Sequence, residues 1–387
     1  MPRVMPTPTD RILTTHVGSL PRSVAVVEWL KRKEAGELSD QSGFDAAMRE
    51  GVDEAVARQI EVGIDIVSDG ETSKIGYATY IKDRLSGFEG HHPRPPHLDL
   101  APHPDFREAI GRMLGPQTFR RAACVGPIEL VDPDAVKKDI ENLEHALAKH
   151  GRTRAFVNAA SPGVVSSFQS NHYYETHEAY VDAIADAMRY EYEAIAGAGF
   201  DLQLDCPDLA MAKHTGFQEL SEAEFLERAE YQVEALNRAV ANIPAKQMRM
   251  HICWGNYEGP HDHDIPLATI LGIVLRAKPS AIVFEAANPR HRHEWTVWKD
   301  AALPEDKILV PGCIDSTYNY VEHPELVAQQ ICQYADIVGR DRVIAGTDCG
   351  FGSFIGTGRV VPAIAYKKLA ALVEGAAIAS RRLWANG

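Results

Sequence analysis

No apolar run in the 387 residues is long enough to cross a bilayer, which excludes a membrane-spanning helix. The first residues, MPRVMPTPTDR, lack the apolar centre of an export signal, so the expected compartment is the cytoplasm. Positive charge is scarce: 40 Lys and Arg stand against 54 Asp and Glu, a net charge of -14. Such a surface attracts neither nucleic acid nor anionic membrane. Cysteine is sparse too, with Cys124, Cys206, Cys253, Cys313, Cys332 and Cys349 too few for a disulfide scaffold. In a reducing cytoplasm such thiols more plausibly bind metal or do chemistry. There is no GKS/T or GxGxxG phosphate loop, no internal repeat and no heptad pattern. What remains is a chain that acts on small molecules, with homo-oligomerisation left open.

Hydrophobic residues make up 45% of the chain and charged residues 24%, ample for a large core. Eight short apolar runs alternate with helical stretches: ILTTHVGS, GIDIVSDGE, RAFVNAASPG, FDLQLDCPD, MRMHICWG, AIVFEAANP, KILVPGCIDS and RVIAGTDCG. Near-continuous apolar runs suit parallel strands buried on both faces. Between Tyr180 and Ala196, Ile184, Met188, Tyr192 and Ile195 form one helical stripe, closed by Gly197 and Gly199. Eight such units predict an α/β fold, a single (β/α)8 TIM barrel over residues 1–387. A Pro- and His-rich segment at about 86–130 breaks the repeat and reads as an insertion after the second unit. Its end, AACVGPIEL, is expected to pair as a small extra hairpin, and His91, His92, His97 and His103 as parts of a solvated loop.

His251 and Cys253 share one face of a strand by period two, while Glu285 and Cys349 end two other runs. Active sites of this barrel lie at those strand ends. Imidazole, carboxylate and thiolate are all zinc ligands, and three or four converging would make a tetrahedral site. Any one of these cysteines could instead pack as a small hydrophobe. The ligand mix argues for thiol chemistry: a free thiol is mostly protonated at neutral pH, and zinc removes that proton. Two thiolates and a carboxylate leave electron density on a bound sulfur, whereas three histidines would favour an activated water.

In order, TTHVGSLPR, VSDGE, NAASPGVVSSF, LQLDCPDLA, MHICW, FEAAN, PGCIDS and TDCGFG resemble eight elements of the catalytic half of cobalamin-independent methionine synthase. The resemblance runs from Thr14 to about Gly352. It implies a barrel with Zn2+ held by His251, Cys253, Glu285 and Cys349, and alkyl transfer to a homocysteine-like thiol in methionine biosynthesis. Glu71 and Asp205 match carboxylates that hold the amino group of homocysteine; helix capping or a salt bridge is the other reading. Gly18 and Ser19 suit the grip on a substrate carboxylate, Asn158 and Ser161 lie towards the electrophile, and Phe168 replaces a tryptophan that packs on folate. Trp254 and Tyr257 could wall the pocket or simply pack.

Where the family carries a proton-donating histidine, this chain reads Asp315-Ser316-Thr317, which leaves Asp315 to orient a donor and His323 as the candidate donor. Phe351, Gly352 and Ser353 replace the family's Lys-Thr-Arg, and no counterpart of its N-terminal barrel precedes the first strand. The thiol side is thus closer to the family than the methyl-donor side. Two other readings stand beside this one. In an epoxyalkane:coenzyme M transferase, Arg22, Arg290 or Arg292 would have to bind the sulfonate. A non-catalytic metal- or ligand-binding barrel is the other.

Overall fold

The runs of Val, Ile, Leu and Ala become strands because each can be covered on both faces. The computed structural model describes residues 10–114, 119–151, 154–356 and 358–385. In chain order the strands are β1 (Leu13–Thr14), β2 (Val67–Ser68), β3 (Phe88–Glu89), β4 (Ala123–Cys124), β5 (Ala155–Ala160), β6 (Asp201–Asp205), β7 (Met248–Ile252), β8 (Ala281–Phe284), β9 (Ile308–Pro311) and β10 (Ile344–Ala345). One six-stranded sheet runs β2-β5-β6-β7-β8-β9, all of its pairs parallel. β1 pairs in parallel with β10, and parallel bridges Leu309↔Val343 and Gly312↔Gly346 join β9 to the β10 segment. At the other edge the Thr14 carbonyl accepts from the Ile66 N–H at 3.1 Å. The parallel sheet therefore curls in the manner of a TIM barrel.

Helices cover the outside. His177–Gly197 extends past both ends of the expected helix, and the Thr176 hydroxyl caps it by accepting from the Ala179 N–H at 3.1 Å. Its stripe of Ile184, Met188, Tyr192 and Ile195 is buried as the spacing requires. Among the described residues no helix is long and apolar enough to cross a membrane.

Inside the curl, Leu13, Val17, Ile66, Phe156, Ala281, Val283, Val310 and Ile344 make a small core of their own. Above it lies a polar layer, because alternation along β7 turns Arg249 inward with His251. The Arg249 guanidinium sits 4.0 Å from the Phe156 ring centroid and donates to Thr15 Oγ1 at 2.9 Å and the His16 carbonyl at 2.7 Å. Those bonds, made by the two terminal nitrogens, offset much of the cost of a cation at the centre of a barrel.

The 86–130 segment forms its hairpin, with β3 and β4 antiparallel through Phe88↔Cys124 and Glu89↔Ala123. His91, His92 and His103 are exposed, as a solvated loop requires. His97 is not: its ring packs edge-on at 5.0 Å from Tyr257 and 5.9 Å from His214. The Leu98 N–H donates to the His214 carbonyl at 3.0 Å and so ties this stretch down near the C-terminal end of β6.

Candidate functional site

Parallel strands all end on the same side, so residues distant in sequence converge there. Cys253 Sγ lies 3.1 Å from Cys349 Sγ, which is 3.7 Å from His251 Nε2. All three residues are buried and offer donor atoms within 4.8 Å of one another. Glu285 stands beside the trio, its Oε1 3.5 Å from Cys349 Sγ. That oxygen accepts from the Trp254 N–H at 2.8 Å, and Oε2 accepts from Asn288 Nδ2 at 2.7 Å.

Asp348, absent from the sequence-based site, aims this loop. It accepts from the N–H groups of Ala286, Ala287 and Asn288, each at 2.8 Å, and so fixes Glu285 next to Cys349. Burial holds His251 down at about 3, helped by the Arg249 charge, so the imidazole is neutral. The contact with Cys349 lowers the Cys253 thiol, but burial and the Glu285 charge outweigh it and leave the group at about 12. Burial likewise raises Cys349 far above an ordinary thiol. A neutral imidazole and two protonated thiols beside a carboxylate fit a soft divalent cation, whose charge would turn both thiols into thiolates.

The trio opens into a cavity of about 500 Å³. Ser19, Glu71, Asp205, Phe168 and Tyr257 line it with the trio, which gathers eight of the sequence-predicted residues in one place. The others stand behind the wall. Asn158 Nδ2 holds Asp205 Oδ2 at 3.1 Å and the Val17 carbonyl at 2.8 Å. Gly18, at φ +138°, must lack a side chain, since a Cβ would strike the Asn158 amide. Ser161 caps helix Pro162–Phe168, which carries Phe168, and donates to Asp208 Oδ1 at 2.8 Å. Trp254 is fully buried, donates to the Ile265 carbonyl at 2.6 Å and stacks on His291. Asp315 accepts from the Thr317 N–H and hydroxyl, both at 2.7 Å, just beneath the lining residues Ser316 and Thr317. His323 does not join them: it is exposed and caps helix Pro324–Val338, its Nδ1 accepting from the Glu325 N–H at 3.1 Å.

Glu71 is the most strained of the group. Its φ of +53° is a left-handed conformation that costs a residue with a Cβ, and its Oε2 has no partner among the described residues. Burial, then the Asp205 charge, pushes Glu71 up to about 8, while burial raises Asp205 to about 6 against hydrogen bonds from Asn158 and Gln203. Carboxyls whose folded values are raised bind more protons folded than unfolded, so stability falls as pH rises from the ordinary carboxylate range through about 8. The expected result is a melting temperature that drops over this window in the free protein and drops less in Glu71→Gln, measured by calorimetry across pH.

Opposite the carboxylates the wall is cationic and aromatic. Arg94 and Arg121 lie 4.2 and 5.1 Å from the Phe168 ring centroid. Phe119 stacks on Phe354 at 4.5 Å, and Arg107 and Arg359 also face the cavity. This wall comes largely from the 86–130 segment, where the sequence offered Arg and Pro without a period. Arg22, by contrast, is tied to the backbone carbonyls of Glu71 and Gly352, and Arg290 and Arg292 are exposed.

A family model described as "Cobalamin-independent synthase, Catalytic domain" matches residues 12–92. A methionine synthase of Saccharolobus solfataricus is 24% identical over 379 residues, 97% of this chain and 96% of that protein. One from Sulfurisphaera tokodaii is 23% identical over 380 residues, 97% and 94% of the two chains. Among solved structures, a B12-independent methionine synthase from Shewanella sp. W3-18-1 in complex with selenomethionine superimposes with a TM-score of 0.69. It shares 18% identity and covers 97% of this chain and 99% of its own, a likeness of fold. The resemblance read from the sequence is borne out, and it spans nearly the whole chain.

Proposed function

We propose that this chain, a relative of the cobalamin-independent methionine synthases, is a zinc-dependent methyltransferase that alkylates the thiol of a homocysteine-like amino acid. The observation that carries the proposal is the convergence of His251, Cys253 and Cys349, with Glu285 beside them, on a cavity whose next wall holds the paired carboxylates Glu71 and Asp205. These four residues would hold the metal. Zinc bound there supplies the charge that deprotonates a substrate thiol near neutral pH and keeps its sulfur nucleophilic.

The protein's own groups do the rest. Glu71, through its free Oε2, and Asp205 bind the ammonium group and so set the thiol's distance from the metal ligands. Asn158, Gln203 and Gly18 keep Asp205 in place. Ser19 offers a hydroxyl to the substrate carboxylate. Asp315 orients groups on the loop after β9. Phe168 and the arginines bind the methyl donor and exclude water.

The proposal includes a complete (β/α)8 barrel over residues 1–387 with an inserted segment at about 86–130, supported by the bonds that bring β1 against both β10 and β2. It also places the chain in the cytoplasm, acting on small molecules. The epoxyalkane:coenzyme M reading is not favoured, because Glu71 and Asp205 line the same cavity as the trio, where their ionised forms would repel a sulfonate and attract an ammonium group.

The test is alkylation of homocysteine, coenzyme M and glutathione in turn, with methylated pteridine, methylcobalamin and epoxide donors. Homocysteine with a methyl donor should react; coenzyme M with an epoxide alone would overturn the assignment. The cationic wall further predicts a donor bearing negative charge. Arg121→Ala should raise the donor KM about tenfold or more, the loss of one charge-assisted contact, with the thiol KM unchanged.

A further inference from the structure

A second group of metal-ligand side chains lies beside the cavity, separate from the cysteine site. His97 lines the cavity from the 86–130 segment, Asp99 follows two residues later, and His214 comes from the loop after β6. Their donor atoms lie within 4.8 Å of one another.

Two observations point to a ligand. Asp99 is 1% exposed and its Oδ1 has no hydrogen-bond partner among the described residues; the same is true of His97 Nδ1. An unpaired carboxylate oxygen at that depth is costly unless something binds it. His214, wholly buried, turns Nδ1 towards Asp264 Oδ1 at 3.5 Å and keeps Nε2 on the side of the Tyr257 hydroxyl, 3.3 Å away. Neither His214 Nδ1 nor Asp264 Oδ1 has a hydrogen-bond partner among the described residues, and a bond between them is the usual way a ligating imidazole is oriented. Tyr257 donates to Asp99 Oδ2 at 2.7 Å and the His261 N–H does so at 3.1 Å, which leaves Oδ1 as the free oxygen.

We propose that His97, Asp99 and His214 form a second site for a divalent transition metal, which fastens the 86–130 segment over the cavity. Two imidazoles and one carboxylate suit zinc, cobalt or iron(II), and three protein ligands leave one coordination position open. Donor atoms of a tetrahedral site stand roughly 3.4 Å apart, so the trio must contract on binding, and His97, the least buried of the three, is the member able to move. Lacking thiolates, this site binds more weakly than the first and fills second.

Titration of the untagged, metal-free chain with Co2+ alone tests this. Wild type should take up about two equivalents, the first bringing thiolate-to-cobalt charge-transfer absorption and the second adding ligand-field bands without it. His97→Ala and Asp99→Asn should each lose the second equivalent and keep the first. Asp264→Asn should weaken the second about 10- to 100-fold. In the Cys253→Ser/Cys349→Ser double variant, the charge-transfer band should vanish while one equivalent still binds. Filling the second site should slow proteolysis within residues 90–103. A single equivalent in wild type, indifferent to His97→Ala and Asp99→Asn, would overturn the proposal and leave the cysteine site intact. Uptake without a charge-transfer band, but lost in His97→Ala, would uphold this site and refute the proposed thiol activation.

Discussion

Replacing Cys253 or Cys349 by serine should abolish thiol alkylation and leave a cooperatively folding protein. Loss of a supporting residue around a metal costs roughly 10- to 100-fold, and removal of a thiolate ligand should cost more. Neither cysteine belongs to the two apolar clusters that hold the sheet and helices together, whereas Cys124, Cys206 and Cys313 do. Chemical denaturation of both variants should therefore give single transitions with unchanged m-values. Loss of cooperative folding in both would show a structural metal and refute the catalytic reading.

Replacing Glu71 by glutamine, or Asp205 by asparagine, should weaken homocysteine by one to two decades, since each charge-assisted hydrogen bond contributes about 1.5–3 kcal/mol. An uncharged thiol should bind much as before. An anionic thiol such as coenzyme M should bind better once the repulsion is gone. The same substitutions should leave the free protein at least as stable above neutral pH, because burial has already raised both carboxyls. Stability and affinity moving in opposite directions is what separates a binding group from a structural one. Apparent thiol affinity in the three proteins decides it: a wild type that ignores homocysteine and alkylates coenzyme M would overturn the substrate assignment.

Much of the molecule is legible in the chain because burial on both faces leaves a strong signal. All eight apolar runs contain strands, and the His251/Cys253 pair shares a face by strand periodicity alone. Cys349 and Glu285 could be placed only by their position at the ends of runs, where a parallel sheet gathers them. What escaped has a common cause. Arg249 inside the barrel is tolerated because the Thr15 hydroxyl and His16 carbonyl, more than 230 residues away, accept hydrogen bonds from it, and no local pattern announces that. His97, Arg94 and Arg121 sit in a Pro-rich stretch without period, and only tertiary packing against Phe168 and Tyr257 gives them a place. His323 is the reverse case. The dipeptide His323-Pro324 carries a helix-start signal, proline at the first turn, and the structure uses the histidine there as a cap.

The central claim is that the substrate sulfur joins a site built from His251, Cys253, Cys349 and Glu285. X-ray absorption at the zinc edge, on chain loaded with a single equivalent of zinc, tests it most directly. Without substrate the spectrum should fit about two sulfur neighbours near 2.3 Å, with nitrogen or oxygen neighbours near 2.0–2.2 Å. Adding homocysteine should raise the sulfur count to about three, and Cys253→Ser should lower it by about one in either state. A sulfur count that stays the same when homocysteine is added, at concentrations where the thiol is alkylated, would contradict the account.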